Sequence, residues 1–169
     1  MKLPSPKILT IFNPAERDVL KQAVAPIELG KLSDREFMNI IKDLTKAMKK
    51  HDGVGIAANQ LGWPYRIAII SGQAQKPRTK DLWLINPEIT WSSPETVEIE
   101  EGCLSVPGVY GLVQRPEMVK ITSLTPAGQI MSLDAAGGLA RVIQHEIDHL
   151  NGIVFTDRTN KITQGAEKL

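Results

Sequence analysis

The segment Gly137-Gly138-Leu139-Ala140-Arg141-Val142-Ile143-Gln144-His145-Glu146-Ile147-Asp148-His149-Leu150 decides how the chain is read. Leu139, Val142, Ile143, Gln144 and Ile147 surround a helix expected from about Ala136 to Leu150, with most of its surface buried and Gly152 as its terminator. On that helix His145 and His149, four positions apart, stack on one face, so two imidazoles reach one metal ion and Glu146 sits beside the open coordination position. This is the skeleton of a hydrolytic metal site. An amphipathic helix with two partly buried histidines fits the same spacing.

A catalytic divalent ion usually takes three protein ligands and leaves a place for water. A downstream glutamate is a poor third ligand, because only Glu167 follows the helix, in the terminal tail. Cys103 is the better candidate: it lies just past a strand, between Gly102 and Leu104, and it is the only cysteine. A buried, inert thiol is the alternative. One cysteine excludes an intrachain disulfide and points to a reducing compartment.

Outward from these residues the chain reads as an α+β domain, with antiparallel sheets packed around the C-terminal helix. A first helix is expected from Ser33 to Lys50, capped by Ser33 with Glu36 as capping-box partner. Its core face is Phe37, Ile40, Ile41, Leu44, Ala47 and Met48. Asp52-Gly53-Val54-Gly55 breaks it. Short β-prone runs follow at Tyr65 to Ile70, Leu82 to Ile85, Ile89 to Trp91, Val97 to Glu101 and Met118 to Leu124. Thr125-Pro126-Ala127-Gly128 turns a hairpin back through Ile130 to Leu133, and Val154-Phe155 suggests one more short strand. In the Val97 run, Val97, Ile99 and Glu101 share the inward face, so the Glu101 carboxylate needs a partner. Residues 1–169 are expected to form one catalytic domain.

Twenty basic and nineteen acidic side chains leave a formal charge of +1, which gives no bulk reason to propose nucleic acid or an anionic membrane as partner. Apolar runs such as Ile67-Ala68-Ile69-Ile70 are too short to cross a bilayer, and the first residues lack a secretory apolar stretch. A cytoplasmic setting is expected.

Three segments carry a resemblance. Gly53-Val54-Gly55-Ile56-Ala57-Ala58-Asn59-Gln60, Glu101-Gly102-Cys103-Leu104-Ser105 and Gln144-His145-Glu146-Ile147-Asp148-His149-Leu150 resemble, in order and spacing, the three signature motifs of the peptide deformylases. The similarity runs from about Ile8 to Arg158. It implies a hydrolase that takes the N-formyl group from the initiator methionine of nascent polypeptides and releases formate. It also implies a metal held by Cys103, His145 and His149. Glu146 would carry protons, and the Gln60 amide with the Leu104 backbone N–H would face the developing oxyanion. Gly53, Val54 and Gly55 would present an edge to the peptide. Ile99 and Val142 would touch the methionine side chain, and Glu101 and Gly102 complete the substrate set. Ordinary core is the alternative for the apolar positions, and an ordinary polar loop residue for Gln60. Arg115 could pair with Glu101 or stand solvated at the surface.

The family implies one Fe(II) per chain, whereas ligand spacing alone equally permits zinc, nickel or cobalt. Three departures stand out. Asn59 stands where the family usually has proline. Gly138 replaces a bulky apolar residue, which could broaden the pocket. The residues after His149 are unsuited to the long helix of many bacterial relatives, so ribosome proximity would be transient and without a docking helix. A bacterial or phage-infected cytosol suits such a variant. Two rivals stay open: an endopeptidase with another third ligand, and a catalytically silent binder of formylated peptide N-termini.

Overall fold

The computed structural model describes residues 7–28, 30, 35–74 and 79–169. Its helices are α1 (Pro14–Leu20), α2 (Arg35–Lys50) and α3 (Gly137–Leu150). Strands β1 (Gly55–Ala57), β2 (Ile67–Ile70), β3 (Leu82–Ser92), β6 (Met118–Leu124) and β7 (Ile130–Ala136) form one antiparallel sheet in the order β1-β2-β3-β6-β7. β4 (Thr96–Cys103), β5 (Val106–Pro116) and β8 (Ile162–Gln164) form a second, in that order. The fold is α+β, as expected, with α3 as the element the sheets surround.

The apolar run of β2 explains the layering. Ile67 and Ile69 point to one face and pack with Ile40, Ile41, Leu44 and Met48 of α2. Ala68 and Ile70 point to the other and pack with Ala140, Ile143, Ile147 and Leu150 of α3. A strand covered on both faces reads as continuous apolar sequence, because alternation survives only where one face meets water. The second sheet has its own cluster of Val106, Val109, Val113, Val154 and Phe155.

Helix α3 ends where Gly152 adopts φ +75°. The Gly152 N–H donates to the His149 carbonyl and the Ile153 N–H to the Asp148 carbonyl, at 3.0 and 2.9 Å, which closes the last turn in a left-handed cap. The His149 end is thereby fixed. The hairpin between β6 and β7 turns at Gly128, as its turn residues indicate.

Several expectations need correction. Helix α1 lies ahead of the Ser33 to Lys50 segment expected to form the first helix. Asn13 caps it, accepting from the Ala15 and Glu16 N–H groups, and Pro14 occupies the first turn, where no N–H is needed. Leu82–Ile85 and Ile89–Trp91 are one strand whose register shifts on either side of Glu88 and Ile89, with Asn86 at φ +50°. Val154-Phe155 is no strand: Phe155–Asp157 is a short 3-10 turn, because the Asp157 carboxylate accepts from the Val154 N–H at 2.9 Å and closes it. Val97 and Ile99 are 37% and 44% exposed, although Glu101 on the same face is buried. Arg141 and His145 of α3 reach the carboxylate on edge strand β4, whereas at Val97 Arg141 reaches only the backbone carbonyl. The segment after α3, expected to form no long helix, supplies β8, whose Ile162 joins the cluster of the second sheet. The expected Ser33 cap lies outside the described residues, as do the side chains of Glu36 and Phe37.

Candidate metal centre

Strand β4 and helix α3 bring Cys103, His145 and His149 together, with one potential ligand atom of each within 4.8 Å of the others. Between Gly102 and Cys103 the register with β5 shifts, and this irregularity re-aims the thiol at the helix. Cys103 Sγ lies 3.1 Å from His149 Nε2. The Ser105 N–H and Gln60 Nε2 also donate to the sulfur, at 3.4 and 3.7 Å. The two imidazoles stand edge to face, 4.9 Å between centroids.

Glu101 settles the tautomer of His145. Its Oε2 lies 2.9 Å from His145 Nδ1, which leaves Nε2 for a metal. Arg115 clamps the same carboxylate from behind, Nε to Oε1 at 2.6 Å and Nη2 to Oε2 at 3.0 Å. Arg141 adds a third bond at 2.9 Å. Burial by itself would raise the Glu101 pKa, but the hydrogen bonds from His145 and Arg115 and the Arg115 charge hold it far below the usual carboxylate range. Arg115 Nη1 continues to Asp148 on α3 at 2.7 Å, and Asp148 pairs on its far side with Arg158. A chain of ion pairs therefore runs from the imidazole of His145 through both sheet and helix.

Glu146 points into a cavity of about 1030 Å³ that also receives His145, Cys103, Gln60 and Val142. Its Oε2 is buried and accepts no hydrogen bond, and burial pushes its pKa up to about 7, against the lowering charges of His145 and Arg115. Gly55 is glycine because a Cβ there would strike Glu146 Oε1 and approach Val142 Cγ1 to 2.8 Å. Burial depresses the His149 pKa, and its Nδ1 is buried without a partner. One thiol and two imidazoles, with one ring nitrogen oriented by a carboxylate and a carboxyl oxygen left unpaired beside them, are the donor set of a catalytic first-row divalent ion. The residues fit such an ion.

Gly53, Val54, Gly55, Gln60, Glu101, Gly102, Leu104 and Val142 all line this cavity. Ile99 does not, being half-exposed on β4. Gly138 also lies outside the lining, and a Cβ there would meet only the Ala74 carbonyl, at 4.0 Å, so the expected wider pocket has no support from its position. Gln60 is fixed at both ends: Oε1 accepts from the Ala57 N–H at 2.8 Å and Nε2 donates to Ser105 Oγ at 3.1 Å. Arg141, Asp148 and Ser105 also take part, without a role expected from sequence. A carboxylate inside an otherwise buried helix was the legible signal for Asp148, since it must find a cation. Arg141 offered none, because an arginine on a helix is ordinarily solvated.

One thiol and two imidazoles able to hold a metal beside a cavity, with a buried carboxyl next to them, define a metal-dependent amidohydrolase. The family model for polypeptide deformylase matches residues 7–165. The peptide deformylase of Phenylobacterium zucineum is 39% identical over 92% of this chain and 88% of its own. A crystal structure of a Synechococcus elongatus peptide deformylase with actinonin has a TM-score of 0.84 at 34% identity, covering 95% of this chain and 83% of that one. The Acinetobacter baumannii class I type b enzyme with Met-Ala-Ser bound has a TM-score of 0.80 at 36% identity, covering 89% and 97%. The chain belongs to the polypeptide deformylase family, and its activity is peptide deformylation.

Proposed function

We propose that this chain hydrolyses the formamide of formyl-methionyl ends on nascent polypeptides, working as one catalytic unit over its 169 residues. The observation that carries the reading is the convergence of Cys103, His145 and His149 beside the unpaired Glu146 carboxyl. A divalent ion held by these three residues would polarise the formyl carbonyl and acidify the attacking water.

The protein's own groups do the rest. Glu146 takes the proton of the attacking water and passes it to the departing amine, so the C–N bond breaks to formate and a free amino terminus. A carboxyl whose pKa is drawn toward neutrality suits both transfers. The Gln60 amide and the Leu104 N–H face the negative charge that grows on the formyl oxygen, each worth roughly 3 kcal/mol of barrier. Gly53, Val54 and Gly55, leading into edge strand β1, offer backbone to an extended peptide, so sequence beyond the first residue is read loosely. Gly102 lies under the Tyr110 ring, where a Cβ would come within 2.6 Å, and so keeps the opposite wall flat. Val142 supplies apolar surface for the methionine side chain, whereas Ile99 is removed from the proposed contacts. The Met-Ala-Ser peptide on the Acinetobacter relative supports a short methionyl peptide as ligand.

Fe(II) is the proposed cellular ion, with zinc, nickel or cobalt able to occupy the same donors. The cytoplasm is the proposed setting, with transient proximity to the ribosome. Among the described residues no helix is long and apolar enough to cross a membrane.

The test is formate release from formyl-Met-Ala-Ser by protein loaded anaerobically with iron. Wild type should turn over, and Cys103→Ala should lose both bound metal and activity. A Cys103→Ala protein that keeps its metal, or a loaded wild type that releases no formate, would overturn the reading.

A further inference from the structure

We propose that Asn59 is a positioning residue: its amide ties the turn carrying Gln60 to the helix end carrying His149, holding both sides of the metal site in one frame. Asn59 is 1% exposed and sits in the 3-10 turn Ala58–Leu61, directly before Gln60. Its Nδ2 donates to the His149 backbone carbonyl at 2.6 Å, across ninety residues of chain. Its Oδ1 is buried and accepts nothing. An apolar side chain of equal volume would avoid that unpaired oxygen, so the donor is the feature of use at this position.

The contacts around Asn59 close a circuit. From its amide the path runs to the His149 carbonyl, through that residue to Nε2, and across 3.1 Å to Cys103 Sγ. From the sulfur it returns through Gln60 Nε2 at 3.7 Å to the peptide bond joining Gln60 to Asn59. Two ligand residues and the amide next to them thus share one closed loop of bonds. If the Asn59 link is cut, no direct hydrogen bond from Asn59 holds the Gln60 turn to the end of α3, and the remaining path at the site runs through the sulfur, reached from Gln60 directly at 3.7 Å or by way of Ser105.

The plainer role is that of a helix-end cap. Arg66 provides that comparison, since its Nη1 donates to the neighbouring Leu150 carbonyl at 3.1 Å and to the Val24 carbonyl at 3.3 Å, with no bond to Gln60 or Cys103. Removing either donor takes one hydrogen bond from the same helix end, where the His149 and Leu150 carbonyls keep the Gly152 and Val24 N–H groups, but only one removal breaks the circuit.

The experiment compares wild type, Asn59→Leu, Asn59→Ser and Arg66→Met, each loaded with Co(II). It follows visible absorption, chelator-driven Co(II) release, melting temperature, and kcat and KM on formyl-Met-Ala-Ser. Both Asn59 variants should release Co(II) about tenfold faster, the size typical for loss of a bond supporting a ligand, with shifted absorption bands. Their kcat should fall with KM nearly held, while Arg66→Met lowers the melting temperature alone. Asn59 variants that match Arg66→Met in bands and release rate would overturn the proposal. If the apolar variant fails to fold, the serine variant carries the comparison. The kcat arm rests on the deformylation reading; should wild type prove inactive, that reading falls, while the absorption and release data still decide on Asn59.

Discussion

The buried carboxyl of Glu146 has a consequence that is measurable without substrate. Burial raises its pKa from the ordinary 4.5 to about 7, so between those values the folded chain holds a proton that the unfolded chain has lost. Stability from this group therefore falls as pH rises: the penalty is absent below about pH 4.5 and complete above about pH 7. Its full size is on the order of 3 kcal/mol. Urea unfolding of chelator-treated wild type and Glu146→Gln should give equal stabilities near pH 4.5 and a more stable variant near pH 7.5. A variant no more stable at the higher pH would show that the carboxyl is not desolvated. In metal-loaded protein the same substitution should cost on the order of 10² to 10⁴ in kcat with metal content unchanged, measured by formate release beside metal analysis.

Between elements, the closest approach that matters is β1 against α3 at Gly55. A methyl group there meets Glu146 and Val142, and a packed contact of this kind costs about 1–3 kcal/mol when it is forced. Gly55→Ala should lose far more kcat than its melting temperature suggests, because the group displaced is the proton carrier itself. Retained kcat with a lowered melting temperature would place the displacement elsewhere. The elements also show why some sequence signals failed. The β4 pattern suggests one inward face, yet α3 buries only the Glu101 side chain and meets Val97 at its backbone carbonyl through Arg141, so the Val97 and Ile99 side chains meet solvent. Strand β3 was read as two strands because its irregular register resets the alternation midway. Helix α1 was legible in Asn13-Pro14, a cap followed by a residue that needs no N–H, but its seven residues carry too little periodicity to stand out.

Across the whole molecule, Arg115 is where the second sheet is joined to α3. Its guanidinium is 5% exposed and bonded to Glu101 on β4 and Asp148 on α3. Arg115→Ala would take one cationic partner from each of two buried carboxylates beside the metal ligands, and the loss of one partner from such a network typically costs about 3–5 kcal/mol. Urea denaturation should record a loss of that size, and His145, no longer held by a clamped Glu101, should bind metal more weakly in a chelator competition. A loss under 1 kcal/mol would mean that Arg141 and Arg158 replace it.

The sequence by itself determined the chemistry of the site: two imidazoles one helical turn apart, a carboxylate beside them, and a single thiol as the plausible remaining ligand. These follow from local periodicity and from the scarcity of alternatives, and neither depends on how distant segments meet. Only the tertiary structure decided which carboxylate orients His145, that Arg141 shares Glu101 with Arg115, that Asp148 is paired on both sides, and that Asn59 bonds a carbonyl ninety residues away. Each of those contacts joins segments remote in sequence, and their partners are set by strand register and the placement of α3, which no local pattern encodes.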